Sequence, residues 1–228
     1  MKSSPASILL GAAVAAACET GPRTATIAST WQMVGSTVSV AAWSNDSSAL
    51  QTAMARLRDT TGAADSTAVR AAVRDAWAAE RGDLSLRPAW RDVADSYVLD
   101  RSVPVLAGAA DSALIDLGGV FLWIGPATNR TVGIADPGNA LAPVAQVALR
   151  SGAVSTVSGR GERRSVTVLA PTAFKASAWA SALFSLGCER ALALAARRNV
   201  SLVCADSTGV RWSPELENRV APPPGHAP

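Results

Sequence analysis

Ser165-Val-Thr-Val-Leu-Ala-Pro-Thr-Ala-Phe-Lys-Ala-Ser-Ala-Trp-Ala-Ser-Ala-Leu-Phe-Ser-Leu-Gly187 is the stretch whose reading decides the fold. Val166 to Leu169 is β-branched and apolar, which predicts a strand, and Pro171 ends it. Thr172 carries the side-chain oxygen of an N-cap, so Ala173 to Leu186 reads as a helix with Gly187 as its stop. Downstream, Glu189 to Arg198 reads as a further helix and Val200 to Cys204 as a returning strand. Upstream, apolar runs at Ala113 to Ile124, Thr131 to Ile134, Val144 to Leu149 and Val154 to Val157 are separated by Gly, Pro and Asn turns. Asp136-Pro137-Gly138-Asn139 is one of those turns. Together these runs predict one mostly antiparallel sheet with helices packed on it, an α+β class.

The first half of the chain is more helical. Thr37 to Trp43 alternates valines with small residues and reads as a strand. Asn45-Asp46-Ser47-Ser48 then supplies turn and cap chemistry for a helix through Arg58, closed by Thr60-Thr61-Gly62. From Thr67 to Ala79, Val69, Val73 and Trp77 recur every fourth residue and define one buried face, with Gly82 ending that helix. Arg91 to Leu106 is a weaker helix candidate, interrupted by Pro104.

The 228 residues suit one domain, and with 49% apolar residues the chain can bury enough surface to offset the entropy of ordering it. A formal charge of +3 without a long basic run gives no footprint for a nucleic-acid partner. Met1 to Ala17 reads as a leader, with Lys2 before an apolar run from Ile8 that is far shorter than the about 20 residues a spanning helix needs. Ala15-Ala16-Ala17 before Cys18 resembles a bacterial lipobox, with Ala15 where leucine is usual. The expected organisation is a signal peptide over 1–17, a tether over 18–30 whose Cys18 is the lipid anchor, a domain over 31–220 and a Pro-rich tail over 221–228. This organisation places the protein in the cell envelope, lipid-anchored on the periplasmic or extracytoplasmic side. Cys188 and Cys204 can then pair in an oxidising compartment, provided that helix and strand bring their backbones close enough.

Several chemistries are removed by the residue inventory. The one histidine, His226, lies in the Pro-rich tail, so His-based triads and HExxH metal sites have no base or ligand. Hard-metal chemistry would need convergent carboxylates. Asp116-Leu117-Gly118-Gly119 invites a phosphate-loop reading, although a strand with a glycine bulge is the plainer one. Trp77, Trp123 and Trp179 fall at apolar-pattern positions and read as core anchors before ligand-stacking platforms.

Ordered blocks along the chain carry a resemblance. Val34-Gly35-Ser36-Thr37-Val38-Ser39, Gly62-Ala63-Ala64-Asp65-Ser66-Thr67, Tyr97-Val98-Leu99-Asp100-Arg101, Ala113 to Gly119, Val132 to Pro137 and Ser165 to Gly187 resemble the motifs of the FAD:protein FMN transferases. These ApbE-type flavin transferases are often exported lipoproteins. The resemblance implies Mg2+-dependent transfer of the FMN portion of FAD onto a threonine or serine of an exported flavoprotein acceptor. It places Ser36, Ala63, Ala64, Asp65 and Asp95 at cofactor-binding positions, and Ser177 and Ser181 at the two metal positions.

The same comparison marks departures. In the family's Ala-Asp-Ala-x-x-Thr helix the Asp and Thr bracket the metal, whereas this chain has Ala176-Ser177-Ala178-Trp179-Ala180-Ser181. A neutral hydroxyl is a much poorer Mg2+ ligand than a carboxylate. Asp95 stands where the family has lysine, and Gly159 to Arg164 runs directly into the strand where the family carries a histidine segment. Three readings stay open from sequence. One is an active transferase with a site rebuilt from Asp65, Asp92 or Asp95. Another is an inactive relative that binds FAD or an envelope partner, and the third is a structural lipoprotein.

Overall fold

A computed structural model of the chain describes residues 25–33, 36–62, 66–81, 85–126, 130–149, 151–159 and 163–222. An antiparallel hairpin opens it, β1 (Ala25–Gln32) with β2 (Thr37–Ser44), and the helices α1 (Ser47–Gly62), α2 (Ser66–Arg81) and α3 (Trp90–Ser102) follow. Val103–Leu106 forms a 3-10 turn, placing Pro104 where its missing N–H costs nothing. The strands β3 (Ser112–Asp116), β4 (Val120–Ile124), β5 (Arg130–Asp136), β6 (Asn139–Leu149), β7 (Gly152–Gly159) and β8 (Arg164–Ala170) come next. The chain then runs through α4 (Ala173–Phe184), α5 (Cys188–Arg198), β9 (Ser201–Asp206), β10 (Gly209–Trp212), a 3-10 turn and the short β11 (Val220–Ala221).

The strands form two antiparallel sheets where the sequence predicts one. Eight are ordered β1-β2-β3-β4-β7-β8-β9-β10, and three form a second sheet, β11-β6-β5. The large sheet buries both faces, which explains why β8 and β9 read as continuous apolar runs. On one face Val166, Val168, Leu202 and Cys204 join Ile115, Leu122 and the helices. On the other, Trp123, Val154, Leu169 and Val203 pack against Ile134, Val147 and Leu149 of the small sheet. The protein is thus three layers with the large sheet in the middle, an α+β architecture.

Helix positions follow the predicted periodicity closely. Val69, Val73 and Trp77 are the buried face of α2. α1 runs four residues past Arg58 to Gly62, because the Thr60 and Thr61 hydroxyls bond carbonyls of the preceding turn and add no competing polar burden. The run Ala113 to Ile124 is a hairpin, its turn fixed by Gly118 at φ 63° and Gly119 at φ 108°, a region closed to most side chains. The predicted helix over Arg91 to Leu106 ends as α-helix at Ser102, and α4 ends at Phe184. Folded structure also begins before Trp31, since Ala25 to Thr30, predicted as tether, make the first residues of β1. The leader, Cys18, Gly82 and the tail from 223 lie outside the described residues.

Cys188 and Cys204 form a disulfide with Cα atoms 5.5 Å apart. The helix and strand do lie in different layers, yet Cys188, the first residue of α5, comes close enough to Cys204 of β9 for the bond to bridge them. Both residues are buried in the helix-side core. Cross-linking positions 16 residues apart removes about 3 kcal/mol of unfolded-chain entropy. Replacing both cysteines by alanine is expected to lower the unfolding free energy in urea by about that amount, with an unchanged far-ultraviolet circular dichroism spectrum.

Candidate functional site

α4 is the central helix of the helical layer, and its composition explains why. Ala176, Ala178, Ala180 and Ala182 are all buried, and such small side chains let neighbouring backbones approach closely. Its N-terminus is fully dressed. The Thr172 hydroxyl accepts the Lys175 N–H at 3.2 Å, and the Asp100 carboxylate of α3 accepts the Ala173 N–H at 2.9 Å and the Phe174 N–H at 2.7 Å. Burial pushes the Asp100 carboxyl above its usual range, while those backbone N–H groups and Thr172 pull against it. Tyr97 meets Phe174 edge-on at 5.5 Å beside this cap. With its first N–H groups taken by Asp100, α4 offers no open N-terminal amide nest for a phosphate.

One turn further along, α3 and α4 are joined by hydroxyls. Ser96 Oγ and Ser177 Oγ lie 2.7 Å apart, with Ser96 fully buried and Ser177 1% exposed. Another turn on, Ser181 Oγ accepts the Ala89 N–H at 2.9 Å, at the residue that leads into α3. The two serines at the metal positions implied by the resemblance are therefore the posts on which α3 is hung. A hydroxyl committed to a neighbouring hydroxyl or amide offers a divalent cation little, and neither carries charge. Among the described residues no group of three or more His, Cys, Asp or Glu could hold a metal ion. The residues of this helix do not fit Mg2+.

The opposite flank of α4 is closed as well. Trp179 Nε1 donates to Glu80 Oε1 at 3.0 Å, and Lys175 Nζ is 2.9 Å from Glu80 Oε2. Burial works against the Glu80 charge, but the hydrogen bonds from Trp179 and Lys175 and the lysine's charge together hold its carboxyl below the usual range. Trp77 stacks edge-on against Trp179 at 5.1 Å and donates to the Leu86 carbonyl at 2.9 Å. Both tryptophans are core anchors whose N–H groups are satisfied, as the apolar pattern predicts.

Asp95, on α3, is 3% exposed and directly precedes Ser96, so it lies beside the hydroxyl seam and away from solvent. Ser36 sits in the β1–β2 hairpin, where the Met33 N–H bonds its carbonyl at 2.8 Å. Ala63, Ala64 and Asp65 lie outside the described residues, and the Asp92 side chain does too. A cleft of about 510 Å³ opens next to the hairpin, lined by Trp31, Gln32, Arg58, Asp59 and Gly62. Gly62 immediately precedes Ala63, and Gln32 Nε2 donates to Thr37 Oγ1 at 2.7 Å across the Ser36 turn. The cleft thus includes Gly62, the first residue of one segment in which the resemblance places cofactor contacts, and lies beside the hairpin that carries the other. Trp31 gives it a nearly buried floor, with Nε1 donating to Thr61 Oγ1 at 2.9 Å.

The phosphate-loop reading of Asp116 to Gly119 fails on geometry. Asp116 Oδ1 accepts the Gly118 N–H at 3.0 Å and the Leu117 N–H bonds the Val120 carbonyl at 2.9 Å, so the loop's amides are spent inside the hairpin. Burial raises the Asp116 carboxyl, against hydrogen bonds from Gly119 and Gly118. From sequence alone Ser96 has no role, and Asp100 stands in the Tyr97 to Arg101 block without a partner. Ser96 and Asp100 are four apart and meet α4 from one face of α3, a role visible only once the partner helix is known.

No protein-family model matches the sequence, and no curated protein matches it. Solved structures do. The flavinyl transferase ApbE of Pseudomonas stutzeri, in its apo form, superposes with a TM-score of 0.66 at 17% identity, over 85% of this chain and 97% of that one. The ApbE protein of Thermotoga maritima gives 0.64 at 14% identity, over 86% and 99%. The flavin transferase ApbE of Vibrio cholerae gives 0.61 at 14% identity, over 86% and 100%. The chain has the fold of the ApbE flavin transferases.

Leaving one of two bonded, buried hydroxyls without its partner costs about 1–3 kcal/mol, whereas removing both leaves nothing unsatisfied. Ser96→Ala and Ser177→Ala are each expected to destabilise by about that much, and the double variant by clearly less than their sum. Urea unfolding of the four proteins reads the coupling, and strict additivity would show that the two hydroxyls do not depend on each other.

Proposed function

We propose that this chain is an extracytoplasmic, lipid-anchored protein that binds a flavin nucleotide on an ApbE-type scaffold and does not perform Mg2+-dependent FMN transfer. The observation that carries this reading is the buried Ser96–Ser177 hydrogen bond, at the place where the resemblance puts a metal-binding carboxylate. Transfer of FMN from FAD requires neutralising the charge that develops on the departing AMP, and a hard cation on anionic ligands supplies that in the family. Here two neutral serines occupy those positions and spend their hydroxyls on α3.

FAD is the ligand class proposed for the cleft between the β1–β2 hairpin and α1. The cleft is shallow and open to solvent, so it offers one wall to a bound nucleotide. Arg58 offers a cation to a phosphate, Gln32 an amide, and Trp31 an apolar floor. Ser36, Ala63, Ala64 and Asp65 belong to this site by the resemblance. Export is supported by the leader and by the Cys188–Cys204 disulfide, a bond that persists in oxidising compartments. Cys18 is the proposed lipid anchor, and the family's exported flavoprotein acceptor becomes a binding partner rather than a substrate.

Calorimetric titration of FAD into the full chain, in Mg2+ and again in chelator, tests the reading together with a transfer assay. The expected result is binding of equal affinity in both conditions, with no covalent flavin fluorescence on a threonine-bearing acceptor after denaturing electrophoresis. Covalent transfer, or affinity that needs Mg2+, would overturn it.

A further inference from the structure

Four strand edges close the two sheets, and three of them are guarded against further pairing. β10 has four residues, and its Arg211 is held by Asp206 at 2.7 Å, a charge on the edge itself. β11 has two residues. β5 breaks register between Ile134 and Asp136, an irregularity that turns an edge away from a flat partner. β1 has none of these devices. Its sequence Ala25-Thr-Ile-Ala-Ser-Thr-Trp-Gln32 contains neither charge nor proline, and it pairs with β2 in unbroken register over all eight residues. Among the described residues nothing pairs with its outer side. Sheet edges of this length and composition are templates for another strand.

The geometry points to a second copy of this chain as the occupant, added antiparallel across a two-fold axis at Ala28, so that the two large sheets become one. Self-complementarity favours a copy over a foreign strand. With Ala28 opposite itself, Thr26 faces Thr30, Ile27 faces Ser29 and Ala25 faces Trp31, and no like charges meet anywhere along the pair. Alternation is preserved too. Exposed Thr26, Ala28, Thr30 and Gln32 share one face, while Ile27 and Trp31 pack toward the helices, so the helical layers of both copies fall on the same side of the joined sheet. An isologous contact of this kind closes on itself and ends at a dimer.

The pairing also reaches the cleft. Trp31 and Gln32 line it, and the axis brings the partner subunit's Ala25 alongside Trp31. Each copy would therefore wall one side of the other's cleft with the start of its own β1. This inference does not depend on what the cleft binds.

The test uses the full chain with Cys18→Ser, in which Ala28→Cys places a thiol on the axis. Oxidation is expected to yield a near-complete cross-linked dimer, while Ser47→Cys, exposed on α1, yields none. Sedimentation is expected to show twice the 23.3 kDa chain mass without cross-linking. Thr26→Lys with Thr30→Lys, which sets like charges face to face, is expected to return it to the single-chain mass with its circular dichroism unchanged. A monomer in sedimentation together with no cross-link in the Ala28→Cys variant would overturn the proposal, including the case in which a foreign strand is what β1 pairs with.

Discussion

The seam between α3 and α4 is the constraint on which the helical layer rests. Small residues let α4 lie close to the sheet and to its neighbours, and Phe174, Trp179 and Leu183 anchor it, but apolar contacts alone do not set its register. Polar bonds along one face set it. Asp100 holds the first N–H groups of α4, Ser96 bonds Ser177, and Ser181 takes the Ala89 N–H. The Ser96–Ser177 bond lies in the low-dielectric interior, where a slip would strand a buried hydroxyl at a cost of about 1–3 kcal/mol, while the Asp100 and Ser181 bonds nearer the surface fix the ends of the seam.

The rest of the architecture follows from a sheet buried on both faces. The small sheet covers Trp123, Val154 and Val203 on one side, and the helices cover Val166, Val168 and Leu202 on the other. The disulfide ties α5 to β9 within the helix-side core, so the layer containing the seam is fastened both covalently and through hydrogen bonds. Such a layer positions side chains rigidly. What it positions at the implied metal site is a pair of engaged hydroxyls, and a fold by itself does not fix the chemistry of a site built on it.

The stretch from Ser165 to Gly187 is the most legible part of the chain. Its strand, its N-cap at Thr172 and its small-residue helix are all present in the structure, since each rests on local chemistry. The Val69, Val73 and Trp77 face of α2 is legible for the same reason. Less visible is the division into two sheets, because the strands of both carry similar apolar runs and only long-range pairing separates them. Ala25 to Thr30 resembles a tether because Ser, Thr and Ala are as common in linkers as on an exposed edge strand. At the site, Ser177 and Ser181 are picked out only by the resemblance of Ala176 to Ser181 to the family's helix, and their partners Ser96 and Ala89 lie in a distant segment that no local rule connects to them.

The claim that this seam is a hydroxyl clasp rather than a metal site can be tested directly with Mn2+, a paramagnetic stand-in for Mg2+, titrated into the full chain with FAD present and followed by electron paramagnetic resonance. The clasp predicts that the free-ion signal grows in proportion to added Mn2+, identically for the natural chain and for Ser177→Ala. A stoichiometric loss of signal that disappears in Ser177→Ala would contradict it, showing that Ser177 ligates a cation in spite of its bond to Ser96.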